Sequence, residues 1–279
     1  MNQKLSFLQN SSIIYLFLIL LSITSCQKTN DLRKGQSVVS SSKNESVAAS
    51  SLVAWYKFTN GNTNDLSAYH NHIIFNNATK TTDFYGRANN AYYFNGNGSY
   101  MEVANSTSLN PSKITLAALI EPMGYYMGKC HANRILMKGF NDGSDGLYLL
   151  GYSDDVYNPN PCGSALMTSK VTFVGAYGNG GNSAGIESDP NTFVNLNKWY
   201  KLVYSFDGTT ANLYINDVLV NQKTFNVPFT PNTSSLKIGT TNDSNYPYWF
   251  NGKIDEIRIY NTAVNSTQAI QISKQLGKN

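Results

Sequence analysis

Charged residues are scarce in this chain, and they do not cluster by sign. Only 14% of the 279 residues are charged, and 21 basic residues against 17 acidic ones leave a net charge of +4. No basic run is present that would follow a phosphate backbone, so nucleic acid is not an expected partner. The apolar run at residues 13–21 is shorter than the roughly 18 residues that a membrane-spanning helix needs.

Aromatic and turn-forming residues are plentiful instead. Aromatics make up 13% of the chain, with 19 tyrosines, and Gly and Asn recur between short apolar stretches. This composition is typical of many strands joined by tight turns. Strands are predicted at residues 52–58, 91–95, 100–103, 114–121, 134–138, 147–152, 171–177, 199–206, 211–215, 218–220, 236–239 and 253–260.

Two local signals complete this pattern. Asn216 and Asp217 stand between two apolar segments, which predicts a two-residue hairpin turn with positive φ at both positions. Only residues 267–276 have a helical pattern. The sequence therefore predicts an all-β fold, a two-sheet antiparallel β-sandwich or jelly roll with a short C-terminal helix.

The N-terminus has the features of an export signal. Lys4 precedes the apolar run, and Ile23-Thr24-Ser25-Cys26 resembles a bacterial lipobox, in which the chain is cut before a Cys that is then acylated. We expect a lipoprotein signal peptide at residues 1–25 and a lipid anchor at Cys26 that holds the protein in the cell envelope, at the outer membrane. An ordinary secretory signal with an incidental Cys26 is the alternative.

The next segment has a different composition. Residues 26–51 are short of aromatics and rich in Ser, Lys and Asn, so we expect a disordered tether that leads to a domain at 52–279. Beyond Cys26, the even pair Cys130 and Cys162 predicts a disulfide in an exported protein. A metal site at this pair and His131 is the weaker alternative, because it lacks the Cys-x-x-Cys spacing of zinc sites.

Four ordered blocks resemble the laminin-G-like, concanavalin A-like jelly rolls of secreted bacterial proteins. They are WYKFTNGNTNDLS at 55–67, YFNG followed by SYMEV at 93–103, WYKLV leading to LYIND at 199–217, and FNGKIDEIRIYN at 250–261. The resemblance covers about residues 52–272, and it departs at Asp217, where the family usually has Gly. This family includes sugar-binding modules, adhesion modules and some hydrolases, so it implies the fold and leaves the function to the site.

A calcium site is predicted after the first strand. Asn60, Asn62 and Asp65 offer the oxygen ligands that Ca²⁺ prefers, and the resemblance implies a fourth ligand from the closing block, which maps to Asp255. The alternative is that Asn62 and Asp65 only cap the turn with hydrogen bonds to the backbone.

Catalytic signatures are weak. Glycosidases need two carboxyl groups that face one cleft, and the Glu-x-Asp-x-x-Glu strand of retaining hydrolases with this fold is missing. Asp255 and Glu256 are adjacent, so on a regular strand they would point to opposite faces. We expect a binding protein more than an enzyme, and a carboxylate pair from distant loops is left open.

Aromatic side chains in predicted loops offer a binding surface instead. Flat rings stack on sugars while polar neighbours bond the hydroxyls, and the candidates are Tyr125, Tyr126, Tyr246, Tyr248 and Trp249. Packing at the end of the sandwich is the alternative for these rings, and Trp55 and Trp199 are expected in the core. The favoured function is a surface-displayed module that binds carbohydrate. The alternatives are a glycoside hydrolase or lyase and a structural or protein-binding module of the envelope.

Overall fold

The computed structural model describes residues 46–140, 146–179, 182–189, 192–227 and 230–278. The predicted signal peptide, Cys26 and most of the predicted tether lie outside these residues. The described residues belong to one compact unit. Within them, no helix is both long enough and apolar enough to span a membrane.

The described part of the chain contains sixteen strands and one α-helix. The strands are β1 Leu52–Tyr56, β2 Ile73–Asn76, β3 Thr79–Thr81, β4 Ala91–Asn95, β5 Met101–Val103, β6 Ile114–Pro122, β7 Asn133–Lys138, β8 Gly146–Ser153, β9 Thr172–Asn179, β10 Asn182–Ser183, β11 Ile186–Glu187, β12 Tyr200–Phe206, β13 Thr210–Ile215, β14 Val218–Thr224, β15 Leu236–Ile238 and β16 Asn251–Tyr260. Helix α1 spans Ser266–Gln275. All twelve predicted strands and the helix are confirmed. The strands that were not predicted, β2, β3, β10 and β11, have only two to four residues each.

The strands form two antiparallel sheets. Sheet A has the order β14-β13-β12-β6-β16-β4-β3, with β1 also paired to β16. Sheet B has the order β10-β9-β8-β7-β15-β5-β2, with β11 also paired to β9. Neighbours such as β6 and β16 are far apart in the chain, so contacts over long sequence distances close the sandwich. The predicted two-sheet antiparallel sandwich is confirmed.

The central strands of sheet A, β6 and β16, are buried on both faces, which explains their nearly continuous apolar sequence. In β6, Leu116 and Ile120 point into the core between the sheets, whereas Ala117 and Leu119 pack with Ile272 of α1 on the outer face. The helix starts with a capping box, in which the N-cap Asn265 and Gln268 bond each other's backbone.

Two tryptophans that were expected in the core between the sheets lie elsewhere. Trp55 and Trp199 are half-buried, and both lie outside the core between the sheets. Trp55 donates its indole N–H to Glu256 at 2.6 Å, and Trp199 packs beside the cluster around α1. Val47 also packs on this cluster and Ser51 is buried, so the last residues assigned to the tether belong to the domain.

The predicted hairpin turn is confirmed. Asn216 and Asp217 join β13 to β14 with φ of 50° and 71°. Both values lie in the left-handed region that a type I′ turn requires.

Candidate functional site

An open groove of about 500 Å³ lies where β5 and β15 meet the loop that leads to β16. We call it the Trp249 groove. Its lining residues are Tyr100, Glu102, Ser235, Lys237, residues 240–244, Pro247 and Trp249.

One wall comes from the outer face of sheet B. The register of β5 and β15 pairs Glu102 with Lys237, so both side chains leave the same face of the sheet. Lys237 Nζ lies 2.8 Å from Glu102 Oε2 and 4.9 Å from the centre of the Tyr100 ring. Burial alone would raise the pKa of Glu102, but hydrogen bonds from Lys237 and Ser235, together with the lysine charge, lower it. Glu102 is therefore held as a carboxylate in a fixed ion pair.

Aromatic rings form the apolar part of the groove. The Trp249 and Tyr100 rings are 6.2 Å apart and inclined by 37°. Phe75 of β2 stacks on Tyr100 at 4.6 Å, so Tyr100 is braced by Phe75 and by Lys237. Trp249 itself is half-buried, and it presents the remaining part of its indole to the groove.

The loop at residues 239–250 is anchored at both ends. Gly239 has φ of +84°, and a Cβ at this position would lie 2.4 Å from Phe94 Cδ1, so only glycine fits. At the other end Phe250 returns to the core, where it donates its N–H to the Gly239 carbonyl at 3.0 Å.

Polar side chains hold the loop from within. The Thr240 hydroxyl donates to the Pro247 carbonyl at 2.7 Å, and the Thr241 hydroxyl donates to the Tyr246 carbonyl at 2.8 Å. Asp243 Oδ1 accepts the Asn245 N–H at 2.8 Å, which is a local turn cap. A loop that is fixed before binding loses little conformational entropy when a ligand arrives.

The predicted binding aromatics do not all lie in the Trp249 groove. Tyr248 has φ of 43° and is buried, and it does not line the groove that Trp249 lines. It packs edge-on against Tyr126 and near Tyr246, with the Arg134 guanidinium 5.0 Å from its ring. Tyr126, Tyr246 and Tyr248 therefore form a tyrosine cluster apart from the groove that Trp249 lines, and sugar binding by these three residues stays a prediction.

Tyr125 lies in a third place. It lines another groove, of about 580 Å³, with Phe193 and Tyr200. Its hydroxyl donates to the Val194 carbonyl at 3.2 Å, and its ring meets Tyr152 edge-on. No residue lines both this groove and the Trp249 groove.

The disulfide prediction is confirmed, because Cys130 and Cys162 are bonded to each other. The bond sits beside the tyrosine cluster, since Cys130 packs with Tyr126, Tyr246 and Tyr248. It also removes both sulfurs from the alternative metal site.

None of the described hydrogen bonds links two of the four predicted calcium ligands. Both carboxylate oxygens of Asp65 already accept two donors each, from the N–H groups of Trp55, Ser67 and Asn71 and from the Ser67 hydroxyl. Four accepted hydrogen bonds use the lone-pair sites of a carboxylate, so Asp65 as arranged does not fit a calcium ion.

Each of the other three predicted calcium ligands has its own hydrogen-bond partner. Asn62 caps Asn64, the exposed Asn60 bonds Asn90 through its backbone N–H, and Asp255 accepts the Phe84 N–H at 3.2 Å. Among the described residues, no group of three or more His, Cys, Asp or Glu is placed to hold a metal. The geometry supports the capping alternative, and the melting temperature with and without calcium is the measurement that tests it against the predicted ion site.

The adjacent acids of β16 differ from the expected arrangement. The β16–β6 register shifts between Ile254 and Glu256, so Asp255 sits at a bulge and the strict alternation of faces fails. Glu256 accepts the Gly277 N–H at 2.8 Å, and a Cβ on Gly277 would lie only 3.5 Å from Asp255 Oδ2. The carboxylates of Asp255 and Glu256 therefore both lie near Gly277. These two residues are only 3% and 1% exposed, and they line neither groove.

Trp249 is the one lining residue of this groove that was predicted from the sequence as a site residue. Tyr100, Glu102, Lys237 and Asp243 meet only because β5 pairs with β15 and because the loop folds back over that pair. The alternation of Met101, Glu102 and Val103 indicates an outward glutamate, but no local pattern names its partner across the sheet.

Comparison with known proteins identifies the family. The Laminin_G_3 model, described as the concanavalin A-like lectin/glucanases superfamily, matches residues 95–269. This chain belongs to that superfamily. No match was found among curated proteins.

Several solved structures align over most of the chain. Domain 4 of AbnA, a GH43 extracellular arabinanase from Geobacillus stearothermophilus, in complex with arabinotriose, is 18% identical, with a TM-score of 0.56 and coverage of 80% of this chain and 98% of that one. The binding domain of Paraclostridial Mosquitocidal Protein 1 is 15% identical, with a TM-score of 0.60 and coverage of 81% and 52%. The binding domain of botulinum neurotoxin DC in complex with SialylT is 12% identical, with a TM-score of 0.57 and coverage of 83% and 52%. The chain thus spans about half the length of the toxin domains, and all three comparisons support the fold.

Proposed function

We propose that this protein is a carbohydrate-binding module and that the Trp249 groove is its binding site. The observation that carries the proposal is a half-buried indole beside charged side chains, in an open groove whose loop is fixed by its own hydrogen bonds. An aromatic face takes up the apolar C–H surface of a sugar ring, and Glu102, Lys237 and Asp243 can bond its hydroxyls.

The fold relatives support this choice of ligand. The arabinanase domain is described in complex with arabinotriose, and one toxin binding domain in complex with SialylT. Catalysis has less support in the described residues, because the adjacent carboxylates of β16 are sealed beneath the C-terminal residues. Binding without hydrolysis is therefore the function that we propose.

We further propose that the module is displayed at the cell envelope through a lipid on Cys26, with residues 27–45 as its tether. The support is the lipobox-like sequence that ends at Cys26. Labelling bacteria with a radioactive fatty acid tests this: the wild-type protein should take up label and Cys26→Ser should not. An unlabelled wild-type protein that is still exported would favour the ordinary secretory signal.

The binding proposal is tested by replacing the indole. A glycan panel that includes arabinotriose would first select a bound oligosaccharide, and titration calorimetry would then compare wild type with Trp249→Ala. We expect about a tenfold or greater loss of affinity, which corresponds to roughly 1.4 kcal/mol of lost ring contact.

A matched control is Tyr85→Ala, because Tyr85 is an exposed aromatic that lines neither groove. Affinity should be unchanged in this variant. Equal losses in both variants, or no bound glycan in the whole panel, would contradict the proposal.

A further inference from the structure

Three charged side chains line the Trp249 groove, and two of them neutralise each other. Lys237 is held 2.8 Å from Glu102 and above the Tyr100 ring, with only 14% of its side chain exposed. To meet an anionic ligand, this lysine would have to leave a partner that is already in place. Its charge is therefore committed inside the protein.

The third charge, on Asp243, has no such partner. Asp243 Oδ1 accepts the Asn245 N–H, whereas Oδ2 makes no hydrogen bond to any described residue. Among the described ion pairs, none includes Asp243. The groove thus carries one uncompensated negative charge, on a loop that is held in position by Thr240 and Thr241.

We propose that the Trp249 groove selects neutral glycans and rejects acidic ones, with Asp243 as the residue that discriminates. This inference rests on the proposed function and names the ligand class of that site. A neutral sugar can donate a hydroxyl to Asp243 Oδ2 and form a charge-assisted hydrogen bond. A carboxylated or sulfated sugar in the same position places two negative charges side by side.

The size of the effect follows from the partial exposure of the groove. Two like charges about 4 Å apart near a protein surface repel each other, and salt strongly weakens this repulsion for exposed groups. We therefore expect acidic glycans to bind about tenfold more weakly than neutral ones at low ionic strength. The ratio of the neutral to the acidic affinity should fall toward one in about 0.5 M salt, where the Debye length is only a few ångströms.

The test uses ligands that differ only in charge. Arabinotriose, or whichever neutral oligosaccharide of the panel binds best, is compared with its own derivative in which primary hydroxyls are oxidised to carboxylates. Calorimetry gives the ratio of the two affinities for each variant, so a general loss of binding cancels. Asp243→Asn should bring the ratio close to one, because asparagine keeps the turn cap but removes the charge.

Two further variants test the sign of the charge preference. Asp243→Lys should reverse the preference toward the acidic ligand, and Glu102→Gln should weaken the discrimination because it frees the charge of Lys237. Asp217→Asn is the matched control, since it removes one negative charge in the β13–β14 turn of the other sheet, and it should keep the wild-type ratio.

Different results would contradict the selectivity for neutral glycans and the proposed carbohydrate binding. Equal or tighter binding of the acidic ligand by the wild-type protein, lost in Trp249→Ala, would overturn the selectivity and leave the sugar site standing. An unchanged ratio in Asp243→Asn would also overturn the role of Asp243. Failure of every oligosaccharide, neutral or acidic, to bind would overturn the proposed function together with the inference.

Discussion

Asp255 carries the clearest pH-dependent contribution to stability. Its side chain is 3% exposed, and burial raises its pKa to about 7, although the Phe84 N–H opposes this shift. The neighbouring charges of Asp83 and Glu256 contribute to this rise in pKa, and the charge of Arg87 opposes it. The folded protein therefore holds a proton on Asp255 at pH values where the unfolded chain has released it.

The sign follows from which state binds the proton more tightly. Because the folded pKa is above the ordinary value of 3.8, this group leaves stability intact below about pH 4 and lowers it as the pH rises through about 7. The full difference corresponds to at most about 4 kcal/mol of unfolding free energy. Asp255→Asn cannot ionise, and its amide oxygen can still accept the Phe84 N–H.

The prediction concerns the difference between the two proteins. Urea unfolding followed at several pH values between 4 and 8.5 should give Asp255→Asn an advantage that grows with pH, reaching up to about 4 kcal/mol at the alkaline end. Near pH 4 the two proteins should agree within about 1 kcal/mol, as expected for a conservative change. An offset that stays constant across the whole range would refute the reasoning, because a packing defect does not depend on pH.

Three further predictions concern the framework of the domain. Replacing Cys130 and Cys162 by Ser should lower the free energy of unfolding by about 3 to 4 kcal/mol in the chain-entropy picture; an unchanged urea midpoint would contradict this. Gly239→Ala should cost about 1 to 3 kcal/mol, since the left-handed backbone and Phe94 both oppose a Cβ, and a melting temperature equal to wild type would show that the loop can move aside. The filled hydrogen bonds of Asp65 predict that calcium and chelator leave the melting temperature unchanged, so a rise with calcium would revive the metal site.

Strand alternation and turn chemistry were enough to predict the sandwich. Leu116 to Ile120 reads as a strand whichever face is buried, and Asn216 with Asp217 specifies a turn from local backbone preference alone. The direction of each side chain was harder to predict. Trp55 occupies an apolar strand, yet its indole N–H bonds Glu256 and the residue lies outside the core between the sheets.

The groove depends on contacts that no local pattern encodes. Glu102 meets Lys237 only through the register of two distant strands, and that register is set by the whole sandwich. Trp249 and Tyr248 are adjacent, yet Trp249 lines the groove whereas Tyr248 packs in the tyrosine cluster. A bulge at Asp255 likewise breaks the alternation that the sequence suggested for the acids of β16.

A crystal structure of the protein with a bound oligosaccharide would show where the sugar binds. We expect a sugar ring lying on the indole of Trp249, with a hydroxyl within hydrogen-bond distance of Asp243 Oδ2 or the Glu102–Lys237 pair. An oligosaccharide seated instead against Tyr125, or on the tyrosine cluster, with Trp249 untouched would contradict this expectation.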